Sequence, residues 1–343
     1  MGKNLLWTDA RYNARRYNAH YIGAPPPKKR EIQAIPTYMK DENSANIRNF
    51  VRNKTICRQR SFRGPYTKKI SVVIPSLNSG RYIERSILSI LNQNWPDTEI
   101  IVIDGGSSDE TCGILRKYDT RLAYRTSEPD RGQSHALNRG FQRATGDYYC
   151  WLNADDVFLP GAFQKIFQAF ENHPRITVCY GNWYSIDEKH MIVDKTYALR
   201  ARTPHFVYEN MNSYNQAMFW RKEVHRRFGK FDESLHRIMD NDMIIRFLLN
   251  EGPEKFYRLD SFLGAFRLHQ KQKTNLAEID SSQEVEEIYL EKKFNFPPAH
   301  SLRGRYLRFS YRLFQLYSGL KHGGLRYTLR KIRQGTRRRK SLL

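Results

Sequence analysis

Between residues 70 and 152, short β-rich apolar runs alternate with segments of helical period, and this rhythm constrains the fold more than any other feature of the chain. Ile70-Ser71-Val72-Val73-Ile74-Pro75 has the composition of a buried parallel strand. Ile83, Ile87, Ile90 and Leu91 then recur at helical spacing, and Pro96 closes that helix. A second strand covers 99–104 and ends in the polar, glycine-rich Asp104-Gly105-Gly106-Ser107-Ser108-Asp109, which opens another helix. A third strand is expected near 122–126, a helix over 133–144 and a fourth strand near 148–152. The alternation predicts an α/β fold, with a mostly parallel, Rossmann-like sheet flanked by helices. Ligands of such sheets bind outside the carboxyl ends of the strands.

The following stretch is more mixed. A helix is expected over 161–172, strands near 177–180 and 217–220, a helix over 238–250 and an extended segment over 262–268. After residue 281 the chain turns helical. Leu302, Tyr306, Phe309, Leu313, Leu316 and Leu320 recur at alternating intervals of four and three, with Arg305, Arg308 and Arg312 off that stripe. Gly323-Gly324 interrupts it, and Leu325, Leu329 and Ile332 begin a second basic amphipathic stretch. Three regions result: a basic, partly irregular extension over 1–68, an α/β domain over 69–275, and a helical appendage over 276–343. The α/β domain divides into a first half, 69–156, with the pattern of a nucleotide-binding sheet, and a more mixed second half, 157–275.

The formal net charge of +23 suggests a polyanion partner until its distribution is considered. Residues 1–69 hold 16 Lys/Arg against 4 Asp/Glu, and residues 301–343 hold 13 against none. The centre, 70–300, holds 29 against 31 and is close to neutral. Any anionic partner is therefore met by the ends. Cys57, Cys112, Cys150 and Cys179 form no metal-like or C-x-x-C pattern, and free buried thiols in a reducing compartment are expected. No apolar run is long enough to span a bilayer, and the first twenty residues lack the apolar core of a secretory signal. A cytoplasmic protein, peripheral on the inner face of the membrane, is expected.

Polar residues gather where the strand-end rule wants them. Asn78, Asp104, Asp130 and Asp155-Asp156 each follow a predicted strand. They either converge on one crevice or cap the helices that follow, and for Asp109 capping is the better reading. Asp155-Asp156 suits a hard cation with oxygen ligands, magnesium or manganese, able to hold a diphosphate. Asp240-Asn241-Asp242 opens a helix, as a cap or as the home of a general base. Arg267, His269, Lys271 and Lys273 form a basic loop able to hold phosphate oxygens.

These segments resemble, in order, the motifs of family 2 glycosyltransferases. The resemblance lies in Ser71-Val72-Val73-Ile74-Pro75-Ser76-Leu77-Asn78, in Val102-Ile103-Asp104-Gly105-Gly106-Ser107-Ser108-Asp109, and in Glu128-Pro129-Asp130-Arg131-Gly132-Gln133. It continues in Leu152-Asn153-Ala154-Asp155-Asp156, in Met239-Asp240-Asn241-Asp242, and in Phe266-Arg267-Leu268-His269 with Lys273-Thr274. It implies a GT-A fold and an inverting transfer from a nucleotide sugar, with UDP the commonest nucleotide. By resemblance, Pro75, Asn78, Asp104, Asp130 and Gln133 line the donor pocket. Arg267, His269 and Lys273 hold the diphosphate, and Asp155 and Asp156 bind a divalent cation, Mg2+ or Mn2+. Asp240 is the general base, and Asp242 lies on the acceptor side. Two positions depart from the pattern. Gly105 stands where many relatives have a second acid, and Asn153 stands at the first position of the Asp-x-Asp element.

The expected acceptor is a glycan or a lipid-linked glycan. The alternative is a GT-A-like module that binds nucleotide sugar without turnover, against which Asp155 and Asp240 both stand. The C-terminal stretch keeps three readings open: packing on the catalytic domain, lying on an anionic membrane surface through 301–343, or binding nucleic acid. The neutral centre and the lack of a recognition motif argue against the last.

Overall fold

The structure, a computed structural model, describes residues 42–52, 55–56, 68–208, 215–273 and 281–340. Expectations for residues 1–41 and for Cys57 lie outside them.

The predicted alternation is present. β1 (Ile70–Ser76) pairs in parallel with β2 (Thr98–Asp104) on one side and with β4 (Tyr148–Trp151) on the other, and β3 (Tyr124–Ser127) continues beyond β2. The helices between them are α2 (Ile83–Leu91), α3 (Thr111–Lys117) and α4 (Gln133–Arg143). Every residue of β1 is buried, which explains its unbroken apolar run. Gly140 allows α4 to lie close on this sheet, because a Cβ there would stand 2.3 Å from Val73 Cγ1. The strand order reverses between β1 and β4, which makes the gap between their carboxyl ends the switch-point crevice.

The second half extends the same sheet in the order β4-β8-β6-β9-β5. β8 (Met218–Arg221) runs antiparallel to β4 and to β6 (Val178–Ile186), and β6 is parallel to β9 (Phe256–Arg267). The two-residue β5 (Val157–Phe158) pairs with β9, Val157 opposite Ala265. This short pairing sets the Asp155-Asp156 turn beside Arg267 and His269. β7 (Ile192–Thr196) pairs with β6. The sheet is thus parallel in its first half and mixed in the second. β6 and β9 run well past the segments that composition marks as strand: the added residues of β9 are mostly only partly buried, and those of β6, though mostly buried, include Gly181, Asn182 and Ser185, so neither carries a clean apolar signal.

Helices α5 (Ala162–Asn172), α6 (Thr203–Tyr208), α7 (Lys222–Phe228) and α8 (Met239–Glu251) cover this half. Phe158, Phe163 and Phe219 meet edge-on or tilted with ring centroids 5.3–5.7 Å apart, and truncating one to Ala is expected to cost about 3–5 kcal/mol. Within the segment expected to be irregular, α1 (Glu42–Arg52) is a helix. It buries Ile47 and Val51 against Val157, Tyr184, Ile186 and Ile192.

The C-terminal region forms α9 (Ser281–Lys293), α10 (Leu302–Ser318), a π-helical turn Gly319–Gly323 and α11 (Gly324–Lys340). Its periodic apolar stripe faces outward and does not pack on the catalytic domain. What packs inward on α10 is Gly304, Leu307, Tyr311 and Ser318.

Candidate active site

The crevice between β1 and β4 collects the predicted residues from four elements. On the β1 side, Pro75 is buried in the strand. Asn78 adopts φ 47°, donates its amide to Ser107 Oγ at 2.7 Å and accepts from the Ser108 amide at 3.0 Å. The left-handed backbone suits Asn, whose short side chain bonds locally. Asp104 at the end of β2 is fully buried. It accepts from the Ser107 amide at 2.9 Å and from the Ser107 and Ser127 hydroxyls at 2.6 Å each. Asp104 therefore ties the loops after β2 and β3 together. The Asp130 carboxylate takes the Gly132 amide at 2.7 Å. A Cβ at Gly105 would approach that carboxylate to 3.0 Å, so an acid at this position would crowd a like charge.

On the β4 side, Asp155 is partly exposed and Asp156 is fully buried. Asp156 accepts from the Arg267 amide at 2.9 Å and from Asn153 Nδ2 at 3.3 Å. Burial, with the charge of Asp155, pushes the Asp156 carboxyl well above the usual range, against the pull of Arg267. Arg267 is also fully buried. Its Nε holds the Asp155 carbonyl at 2.8 Å, and its Nη1 reaches the Asp187 carbonyl at 3.3 Å and His190 Nδ1 at 2.7 Å. Its Nη2 is buried with no hydrogen-bond partner among the described residues. Arg267 and Asp156 thus form the floor, and Asp155 and His269 stand above it with His269 Nε2 2.8 Å from Asp155 Oδ2. Tyr82 lies against both basic residues, 4.8 Å from the His269 ring and 5.2 Å from the Arg267 guanidinium.

A chain of side chains joins this group to the second half of the domain. Gln133, first residue of α4, donates to Asn153 Oδ1 at 2.9 Å and accepts from Lys273 Nζ at 3.1 Å. Lys273 lies in the field of Asp240 and of Glu286. Asp240 is partly exposed in the first turn of α8 and accepts from the Asn241 amide at 2.8 Å. Asp242 points the other way. It is fully buried and paired with Arg246 at 2.8 Å and Lys293 at 2.7 Å.

Several contributors carried no signal in the sequence. Glu286, on α9, accepts from the amides of His236, Arg237 and Ile238 at 2.9, 3.0 and 3.1 Å. It thereby fixes the turn that enters α8. His190 and Asp187 hold Arg267 from the β6–β7 turn. No spacing rule links these residues to the crevice, since they are distant in the chain and fall in no motif. Asn153 and Gln133 lay inside quoted motifs, but only the fold shows that they touch. No helix among the described residues is long and apolar enough to cross a membrane.

Comparison with known proteins accords with this arrangement. An uncharacterized glycosyltransferase of Rickettsia prowazekii is 28% identical over 234 residues, covering 65% of this chain and 71% of its own length. One from Methanocaldococcus jannaschii is 29% identical over 208 residues, covering 58% and 70%. Among solved structures, residues 1–349 of Staphylococcus aureus TarS in complex with UDP-GlcNAc superpose with a TM-score of 0.53 at 18% identity. That match covers 65% of each chain, so this chain spans slightly less than two thirds of that structure's length, and the likeness is one of fold. The family model described as Glycosyl transferase family 2 matches residues 71–235, the segment that builds the crevice, so the motifs, the fold and the sequence relatives all point to the same family of glycosyltransferases.

Proposed function

We propose that the chain transfers a sugar from a nucleoside-diphosphate sugar to a hydroxyl of a glycan or lipid-linked acceptor, with inversion at the anomeric carbon. The observation that carries this reading is the convergence at one switch-point crevice of the Asp155–His269 pair and the Asn153–Gln133–Lys273 chain, beside the helix whose first turn holds Asp240.

The donor set fits a divalent cation. Among the described residues no third carboxylate, imidazole or thiol joins them, but one partly exposed carboxylate and one imidazole are ligands that manganese or magnesium accepts, and diphosphate oxygens and water would complete the shell. Asp155 and His269 would hold it, while Asp156 acts from below through Arg267 and Asn153. When bound, the cation would offset the negative charge of the departing diphosphate. Lys273 and the amino-terminal end of α4, where Gln133 stands, add positive potential on the same side. UDP is the proposed nucleotide, in keeping with the UDP-GlcNAc held by the S. aureus relative. Asn78, Pro75, Asp104 and Asp130 form its base and ribose side.

In the transfer, the acceptor oxygen bonds to the anomeric carbon as the bond from that carbon to the diphosphate breaks. The bonding pair leaves with the nucleoside diphosphate, and the Asp240 carboxylate takes the acceptor proton. Residues 301–343 bring this reaction to an anionic membrane surface on the cytoplasmic side.

A thermal-shift series with nucleoside diphosphates, with and without manganese, tests the donor site without relying on turnover. A ligand at about 100 times its dissociation constant stabilises by about 2.7 kcal/mol. A metal-dependent shift with UDP supports the reading. No shift with any nucleotide overturns it.

A further inference from the structure

The two C-terminal helices are amphipathic the wrong way round for a soluble surface. Leu302, Tyr306, Phe309, Leu313 and Leu316 on α10, with Leu320 in the turn that follows it, are 37% to 86% exposed. On α11, Leu325, Leu329 and Ile332 are 44% to 63% exposed. Apart from Leu307, the residues that touch the rest of the protein are small, aromatic or charged. Tyr327 meets Tyr197 edge-on at 5.0 Å, Thr328 is buried, and Arg330 and Lys331 pair with Asp194 at 3.0 and 2.5 Å. On α10, Tyr311 is buried and Phe314 packs under the Arg202 guanidinium at 5.4 Å. The helices are therefore held by their inner side, and the stripe is left over. Scattered exposed apolar residues need no explanation, but nine large ones at helical spacing along this C-terminal stretch do.

Charge selects the occupant. Residues 301–343 carry 13 Lys/Arg and no acid, so a second copy would bring like charge against like charge. A nucleic-acid backbone would answer the arginines and leave the leucines in water. An anionic bilayer answers both, taking the apolar stripe at the acyl boundary and the flanking cations at the headgroups. Arg303, Arg305, Lys321 and Arg326 are exposed on the same helices. Arg202 and Lys321 also line a cleft of about 1050 Å³ beside Phe314 and Tyr317, which places cationic side chains at the edge of the stripe.

We infer that α10 and α11 are a monotopic anchor whose outward stripe, centred on Phe309 and Leu313, inserts into the interface of an anionic lipid bilayer. The inference rests on the membrane-surface part of the proposed function and is independent of its donor chemistry. It adds that insertion of named apolar residues, and not charge alone, provides the attachment.

Flotation of the full chain with vesicles of phosphatidylcholine, alone or mixed with phosphatidylglycerol, tests it. Phe309→Glu and Leu249→Glu serve as a matched pair. Both replace an exposed apolar residue and change the charge equally, but Leu249 lies on α8. The expected result is flotation with the mixed vesicles that high salt weakens without abolishing. Phe309→Glu should reduce it by about tenfold or more, and Leu249→Glu should leave it unchanged. Equal loss in both variants, or complete loss in salt with Phe309→Glu behaving as the parent, would mean adsorption by charge and overturn insertion. No flotation overturns it outright. So does a concentration-dependent dimer, measured by light scattering without vesicles, that Phe309→Glu disperses. The nucleotide thermal shift, run without vesicles on the same samples, reports separately on the donor site.

Discussion

His269 Nε2 lies 2.8 Å from Asp155 Oδ2, while Arg267 Nε, two residues earlier, holds the Asp155 carbonyl at the same distance. The end of β9 thus grips Asp155 by its side chain and by its backbone. The motif that closes the domain and the acidic motif of its first half form one site only because β5 pairs with β9.

Asp155→Ala is expected to abolish the part of UDP stabilisation that depends on manganese. His269→Ala should weaken it to a smaller degree, since the carboxylate remains. Isothermal titration of UDP with and without the metal measures both. Affinity in Asp155→Ala that still responds to manganese as in the parent would remove Asp155 from the cation site.

Asp240 and Asp242 are two residues apart in one motif, yet the fold gives them different tasks. Asp240→Asn should lower kcat by about 10²–10⁴ while leaving the melting temperature and UDP affinity close to the parent. Asp242→Asn should instead lower the melting temperature by several degrees, because it disrupts a buried carboxylate paired with Arg246 and Lys293. Single-turnover rates beside melting curves separate the two. Transfer by Asp240→Asn at the parent rate would exclude it as the base.

The sheet was legible because β1, β2 and β4 are almost wholly buried and each ends at a polar turn. Ile70–Ser76 shows this in its composition alone. The crevice was half legible. Asp155, His269 and Asp240 could be read from motif order, but not that Asp156 and Arg267 lie beneath the surface, since burial depends on the two-residue β5. The outward stripe of α10 was visible as a period of apolar residues. A period fixes which residues share a face and leaves open whether that face meets protein or solvent. Glu286 was illegible, because a carboxylate that accepts three amides across chain-distant elements leaves no local pattern.

Arg267 always donates, so the 2.7 Å contact requires a bare lone pair on His190 Nδ1 and places the proton on Nε2. Burial first, and then the Arg267 charge, lowers His190 from 6.5 to about 4. A histidine with a depressed folded value binds fewer protons folded than unfolded. Its contribution is therefore whole above the unfolded value and is lost as pH falls toward about 4. Acidification from pH 6.5 to 4 should remove roughly 1 kcal/mol through this residue, after allowance for its partial exposure. The melting temperature of His190→Gln should fall less steeply over that window than that of the parent. Parallel curves would show that His190 is protonated without cost.

α9 is bound at three points to α8 and to the segment that leads into it. Glu286 accepts the amides that lead into α8, Lys293 pairs with Asp242 at 2.7 Å and Asp232 at 3.0 Å, and Tyr289 donates to Asp232 at 3.1 Å. Burial raises Asp232, but Ser234 and Lys293 outweigh it and hold the carboxyl at about 2. That link is whole above 3.8 and is lost as pH falls through about 2, so it persists at every pH where the enzyme would be assayed. Lys293→Met leaves Asp242 with one cationic partner and should cost about 3 kcal/mol. Glu286→Ala, by contrast, frees the turn that aims Asp240 without exposing a core charge. Its expected effect is a fall in kcat of about tenfold or more with KM for the donor little changed, partly restored by Glu286→Gln, which keeps one acceptor oxygen. Equal changes in kcat and KM, or a drop in the melting temperature with kcat intact, would make α9 a brace for the fold with no part in placing the base.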